Sequence, residues 1–141
     1  MASVINMQFM RYINLFSKIS GVSTMNCFIY NGQIFFAVNP SKVSQAIGKN
    51  AVNVKKLREI LGKKIRVVVM PNKENSSEME GFIKEVIDPI EVNKIEIKND
   101  SVSITAGRQS KAALIGRNRA REKELSDVLK NYFHIIQLRI L

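Results

Sequence analysis

Two short stretches combine a glycine, a cation and an amide in the same order: Ile47-Gly48-Lys49-Asn50-Ala51 and Ile115-Gly116-Arg117-Asn118-Arg119. Each lies between two segments that read as helices. A glycine at such a break lets a backbone approach a ligand closely. The helix that follows offers unpaired N–H groups and a partial positive charge at its start. Lys49 or Arg117 adds a full charge beside the glycine, and Asn50 or Asn118 adds an amide. Together these groups suit a phosphodiester backbone. More cations crowd both stretches: Lys55, Lys56, Arg58, Lys63, Lys64 and Arg66 after the first, and Arg108, Lys111, Arg119, Arg121 and Lys123 around the second. With Lys49 and Arg117 they make 13 of the chain's 22 basic residues. The plainer reading is a corner between two helices in which glycine only caps the first. That reading gives no reason for the charge.

The whole chain shares this imbalance. Its 141 residues hold 22 Lys plus Arg against 12 Asp plus Glu, a net charge of +10. Such a chain attracts polyanions, nucleic acid first and an anionic membrane surface second. Apolar residues make up 45% and charged residues 24%, ordinary values for a globular protein. The one cysteine, Cys27, sits in the apolar run Cys27-Phe28-Ile29-Tyr30. A single thiol excludes an internal disulfide and a Cys-rich metal site, and a buried structural thiol is expected. The single histidine, His134, has no acid or nucleophile pattern around it and is read as structural or surface. The acidic residues show no metal-ligand spacing, and neither glycine stretch has the spacing of a P-loop or a dinucleotide fingerprint. No enzyme, metal or cofactor is expected. Asn6, Gln8, Arg11 and Asn14 interrupt the stretch from Met1 to Phe16, which has no basic start ahead of a clean apolar run. A secretory signal is not expected there. No run reaches about 18 apolar residues, so no membrane span is expected and the cytoplasm is the expected compartment.

The elements that must position the two stretches repeat as well. Gly48 meets Gly116 at an offset of about 68 residues, and the same offset brings Asn31 onto Asn99, Ile34 onto Val102 and Phe36 onto Ile104. It also brings Leu57 onto Leu125, Ile60-Leu61 onto Val128-Leu129 and Val67 onto Ile135. Each copy reads helix, strand, strand, helix, helix, strand. In the first, Phe9, Tyr12, Ile13 and Phe16 form a helical stripe over about 7–19 that Gly21 ends. Strands over 26–30 and 33–38 flank Asn31-Gly32, a strong hairpin signal. Pro40 and Ser41 open a short helix. A longer helix over 52–61 carries Val54, Leu57, Ile60 and Leu61 as its buried stripe, with Gly62 as cap, before a strand over 65–70. The second copy gives helix 77–87, strands 92–98 and 102–106, helices 109–115 and 120–132, and a strand over 134–140. The polar segment Pro71-Asn72-Lys73-Glu74-Asn75-Ser76 lies between them. The expected domains are therefore 1–72 and 73–141.

The segment Ala46-Ile47-Gly48-Lys49-Asn50-Ala51-Val52-Asn53-Val54-Lys55-Lys56-Leu57, with the tail Leu61-Gly62-Lys63-Lys64-Ile65-Arg66-Val67-Val68, resembles the signature of type II K-homology (KH) domains. Two such domains over residues 7 to 141 resemble the archaeal NusA-like factors. So do Phe16-Ser17-Lys18-Ile19-Ser20-Gly21-Val22 and the strand containing Cys27. The resemblance implies an α+β fold of two tandem type II KH domains, each α-β-β-α-α-β with a three-stranded sheet covered by helices. It implies a non-enzymatic protein that binds single-stranded, nascent RNA and regulates transcription elongation and termination. The RNA polymerase elongation complex is a second candidate partner. KH loops hold about four nucleotides by the backbone. On that model Gly48, Lys49, Asn50 and Ala51 hold RNA in the first copy, with Lys55 and Lys56 attracting phosphate. Gly116, Arg117, Asn118, Arg119 and Arg121 do so in the second. The family loop is G-x-x-G, and its last position is Ala51 in one copy and Arg119 in the other. Alanine is expected to cost little there, as a residue opening a helix. Arginine either crowds the backbone or adds a phosphate contact. Two other readings remain: a KH protein of the ribosome or its assembly, and a protein–protein adaptor with degenerate loops.

Overall fold

The computed structural model describes residues 7–141. Residues 1–6 begin both the stretch read as lacking a secretory signal and the first expected domain, and they lie outside the described residues. The chain divides between Met70 and Pro71 into two compact units. The first contains α1 (Met7–Ser20), β1 (Cys27–Tyr30), β2 (Gln33–Val38), α2 (Val43–Ile47), α3 (Val52–Leu61) and β3 (Ile65–Val69). The second contains α4 (Ser76–Ile87), β4 (Lys94–Lys98), β5 (Ser101–Thr105), α5 (Arg108–Ile115), α6 (Ala120–Phe133) and β6 (Gln137–Ile140). Both units are α+β, each with one three-stranded sheet, ordered β1-β2-β3 and β4-β5-β6.

The topology follows from the connections. A two-residue turn joins β1 to β2, which pair antiparallel with Tyr30 opposite Gln33. Asn31 and Gly32 stand at φ 52° and 73°, the left-handed values that a tight hairpin turn requires. The next pair, β2 with β3, is parallel, with Ile34 opposite Ile65 and Val38 opposite Val69. A parallel pair needs a long crossover. Here α2, the Gly48 corner and α3 supply it, so the corner is fixed at both ends by the sheet. The second unit repeats this: β4 and β5 are antiparallel, β5 and β6 parallel, with α5 and α6 in the crossover.

Packing explains the helix positions. In the first unit Tyr12 and Phe16 of α1, Ala46 of α2 and Leu57 of α3 meet Cys27, Ile34, Phe36, Val38 and Ile65 of the sheet, all buried. Phe16 and Phe36 stack with ring centroids 4.2 Å apart. Burial pushes the Cys27 thiol up from 9.0 to about 12, as expected for a structural thiol. The first sheet is apolar on its other face too, where Phe28, Tyr30, Phe35, Ala37 and Val68 are buried and Phe28 stacks on Phe35 at 5.0 Å. That accounts for the unbroken apolar run of β2, since a strand buried on both faces loses its alternation. The second sheet is one-sided: Ile95, Val102 and Ile104 are buried, while Glu96, Ser103 and Arg139 line the opposite face.

Three expectations need correction. Ile60 is 47% exposed rather than part of the buried stripe. The stripe of α3 centres between Leu57 and Leu61, and Ile60 falls at its edge. The match of Val67 with Ile135 fails, because α6 has 14 residues where α3 has 10. The partner of Ile34 is Ile65, whereas that of Val102 is Leu138. His134 therefore does not start the last strand. It ends α6 at φ 57°, its N–H donating to the Lys130 carbonyl at 3.1 Å. The segment after Pro71 is polar, as expected, but ordered by local bonds: the Asn72 N–H donates to Glu78 at 3.0 Å, and Asn75 caps α4.

Removing the stacked ring should be costly. Phe16→Ala is expected to destabilise the first unit by about 3–5 kcal/mol, measured by urea unfolding. Cys27 should resist iodoacetamide at pH 8 in the folded chain and react once urea is added. The folded thiol keeps its proton to higher pH than an exposed one, so its contribution to stability is complete below pH 9 and is lost as pH rises towards about 12.

Candidate nucleic-acid interface

The two glycine corners share one backbone shape. Gly48 stands at φ 81°, ψ 166° and Gly116 at 75°, 170°. Asn50 and Asn118 follow at 55°, 30° and 56°, 28°. Ala51 and Arg119 complete the corners at 60°, 30° and 61°, 22°. Side chains are strained by such left-handed values, and asparagine tolerates them better than most residues. The shared asparagine is thus explained by backbone geometry before any ligand is invoked. The last position is corrected by the same numbers. Ala51 does not open α3 in a helical conformation; it precedes the helix in a left-handed one, where a glycine fits without cost. Helix propensity is the wrong measure there.

The first position of each corner admits no side chain. A Cβ on Gly48 would lie 2.9 Å from Asn53 Nδ2 and from Val52 Cγ1. On Gly116 it would lie 2.7 Å from Arg121 Cγ and 3.0 Å from the Arg121 backbone nitrogen. Asn53 also braces the first corner, its amide donating to the Gln45 carbonyl at 3.0 Å. Sequence reasoning did not single out Asn53. Its spacing from the glycine gives no signal, because the brace forms only once α2 and α3 fold against each other.

Neither α3 nor α6 has a side-chain cap at its start. The contrast with α4 is clear. There the Asn75 side chain accepts from the Glu78 N–H at 3.2 Å and donates to the Glu78 carboxylate at 3.0 Å. At the two corners no side chain caps the helix start; the tight turn itself takes up the Ala51 and Val52 N–H groups, on the Gly48 and Lys49 carbonyls, and the Arg119 and Ala120 N–H groups, on the Gly116 and Arg117 carbonyls, while the positive end of the helix dipole stays without a side-chain partner. Around the first corner, Lys49, Asn50, Lys55 and Lys56 are all exposed, with Gly48 and Ala51 half-buried. Among the described residues, no ion pair holds Lys49, Lys55 or Lys56. At the second corner Arg117, Asn118 and Arg119 are exposed and Gly116 and Arg121 half-buried. Arg119 and Arg121 are each engaged by a glutamate three residues on, at 2.7 and 3.2 Å. Hydrogen bonding to Glu122 raises the Arg119 pKa.

Charge separates the units further. Up to Met70 the chain has ten basic residues and one acidic residue, Glu59, a net +9. From Pro71 it has twelve basic and eleven acidic residues, a net +1. Nearly all of the excess charge lies in the first unit. Among the described residues no helix is long and apolar enough to cross a membrane, and no group of three or more His, Cys, Asp or Glu side chains is placed to hold a metal ion.

Three archaeal proteins named probable transcription termination protein NusA are similar to this chain. That of Methanocaldococcus jannaschii is 25% identical over 133 residues, covering 92% of this chain and 70% of its own. That of Halococcus morrhuae is 26% identical over 112 residues, covering 77% of each. That of Methanococcus vannielii is 33% identical over 86 residues, covering 61% of this chain and 47% of its own. The crystal structure of APE1850 is similar over 97% of this chain and all of its own, with a TM-score of 0.62 and 29% identity. No family model matches the chain.

The corner geometry yields opposite expectations for two small substitutions. Gly48→Ala should destabilise the first unit by about 1–3 kcal/mol, from left-handed strain and the contact with Asn53. Ala51→Gly should leave stability unchanged or raise it by up to about 1 kcal/mol, whereas glycine at a true helical position would lower it by about as much. Thermal melting of the two variants beside the parent chain distinguishes the cases.

Proposed function

We propose, from the premise that the chain is an archaeal NusA-like protein, that it binds single-stranded RNA through two tandem type II KH domains. In this reading it acts on nascent RNA during transcription elongation and termination, in the cytoplasm and without enzymatic activity. The domains correspond to 1–72 and 73–141. The observation that carries the reading is the first corner: an uncapped helix start, a backbone that only glycine can follow at Gly48, and unpaired lysines on the same surface.

The mechanism follows from those groups. RNA phosphates lie against the backbone at Gly48, Lys49, Asn50 and Ala51, where α3 offers the positive end of its dipole with no side-chain cap. Lys49 supplies a full charge there, and Lys55 and Lys56 extend the attraction along α3. The second corner contributes through Gly116, Arg117 and Asn118. Arg119 and Arg121 join in competition with their glutamate partners. The names of the relatives support a role in termination, and the RNA polymerase elongation complex is the assembly in which such a protein would meet its RNA.

Binding should be electrostatic and corner-specific. About four phosphate contacts give a log–log salt slope of about −3 with a single-stranded oligonucleotide. Lys49→Asp with Asn50→Asp should remove most of the affinity while leaving the melting curve intact, and the same change at Arg117 and Asn118 should cost less. Fluorescence anisotropy at several salt concentrations measures both. No binding at low salt would favour the adaptor reading. Equal losses at the two corners would overturn the ranking.

A further inference from the structure

The arginines of the second corner are not placed like the lysines of the first. At the repeat offset Arg119 stands where the first unit has Ala51, and Glu122 where it has Val54. Val54 packs against the apolar core of its unit. Glu122 keeps much of that shelter, its side chain being only 18% exposed. A carboxylate so placed is poorly solvated and needs a counter-charge. Arg119 provides it with two bonds: Nε donates to Oε1 at 2.7 Å and Nη2 to Oε2 at 3.3 Å. The same exchange recurs half a turn on. Arg121 replaces Asn53 and Glu124 replaces Lys56, and their side chains pair at 3.2 Å. Each added arginine is thus matched by an added glutamate.

Resting on the RNA-binding reading above, we propose that Glu122 and Glu124 set the affinity of the second corner by competing with RNA phosphate for Arg119 and Arg121. A phosphate that takes the Nε and Nη2 donors of Arg119 leaves the sheltered Glu122 carboxylate without its partner, and one that takes the remaining donors lies close to the carboxylate's charge. Arg117 is not held in this way: among the described residues no ion pair engages it. The second corner keeps the shape of the first but offers RNA a ready cation at the loop only in Arg117, with Lys123 on α6 as the counterpart of Lys55. The two glutamates are positioning residues. They touch no RNA, and they decide which arginines can.

The test uses the full chain with Lys49→Asp and Asn50→Asp, so that the second corner is read alone. Into it are placed Glu122→Gln with Glu124→Gln. A matched control carries Glu80→Gln with Glu96→Gln, which add the same net charge and free Lys84 and Lys94 from their own pairs. The probe is a fluorescent single-stranded oligouridine, followed by anisotropy across a salt series. The corner variant should bind about three- to tenfold tighter at low salt than its parent. Its salt slope should steepen by about 0.7 for each released arginine. The control should stay within about twofold. Glu122→Val, which installs the first unit's residue type, should act in the same direction and guards against a folding defect of the glutamines. Equal gains in corner and control variants, or an unchanged slope, overturn the proposal. If the unmutated chain fails to bind the probe at low salt, the RNA reading itself falls, which is a separate and recognisable outcome.

Discussion

Each unit turns on a corner where the chain leaves one helix through a glycine near φ +80° and enters the next through two more left-handed residues. Three positive-φ residues in four cost free energy wherever the residue is not glycine. They persist because the surrounding fold fixes both ends. The parallel pair β2–β3 dictates how far the crossover must travel, and buried Ala46 and Leu57 pin α2 and α3 to the core on either side of Gly48. In the second unit Leu114 and Leu125 do the same work around Gly116. The strain leaves a helix start with no side-chain cap and a glycine whose Cβ position is already filled, by Asn53 and Val52 at one corner and by Arg121 at the other.

That geometry sets what the corner can attract, and the nearby side chains set how strongly. The helix dipole and the absence of a side-chain cap are common to both corners. Full charges are not shared in this way. Lys55 has a counterpart in Lys123, but Lys56 is replaced by Glu124 and Arg58 by Ser126. With a net +9 against +1, the first unit exerts most of the long-range attraction on a polyanion.

Much of this was legible in the sequence for definite reasons. The hairpin was announced by Asn31-Gly32, because so few dipeptides adopt two positive φ values. The ends of α2 and α3 were readable from Gly48 and Gly62. The order of elements followed from the repeat. Other features were hidden because they depend on contacts. The identity of Ala51 gave no hint of a left-handed conformation, and helix propensity pointed the wrong way. The extra turn of α6 displaced β6 and moved His134 from a strand to a helix end, since nothing in that stretch supplies the glycine that ends α3. The basic residues around the two corners looked comparable when counted, thirteen in all. Their pairing separated them further, because Glu122 and Glu124 each sit three residues after an arginine at the start of α6 and engage it.

The division between buried and exposed positions explains how the corners kept one shape while their charges diverged. Ile34 and Val102, Phe36 and Ile104, and Leu57 and Leu125 are repeat partners, and every one of them is fully buried. Replacements there are confined to apolar residues of workable size, because a void or a polar group in the core is costly. The backbone path, and with it the φ and ψ values of the corner, depends on those positions. Lys56, Arg58, Glu124 and Ser126 lie outside the core and can change sign or lose charge at little cost to the fold. Glu122 is the exception that links the two sets. It occupies a sheltered position, and Arg119 at the corner supplies its counter-charge. Arg119, which stands where the first unit has Ala51, is therefore accounted for by the helix it precedes.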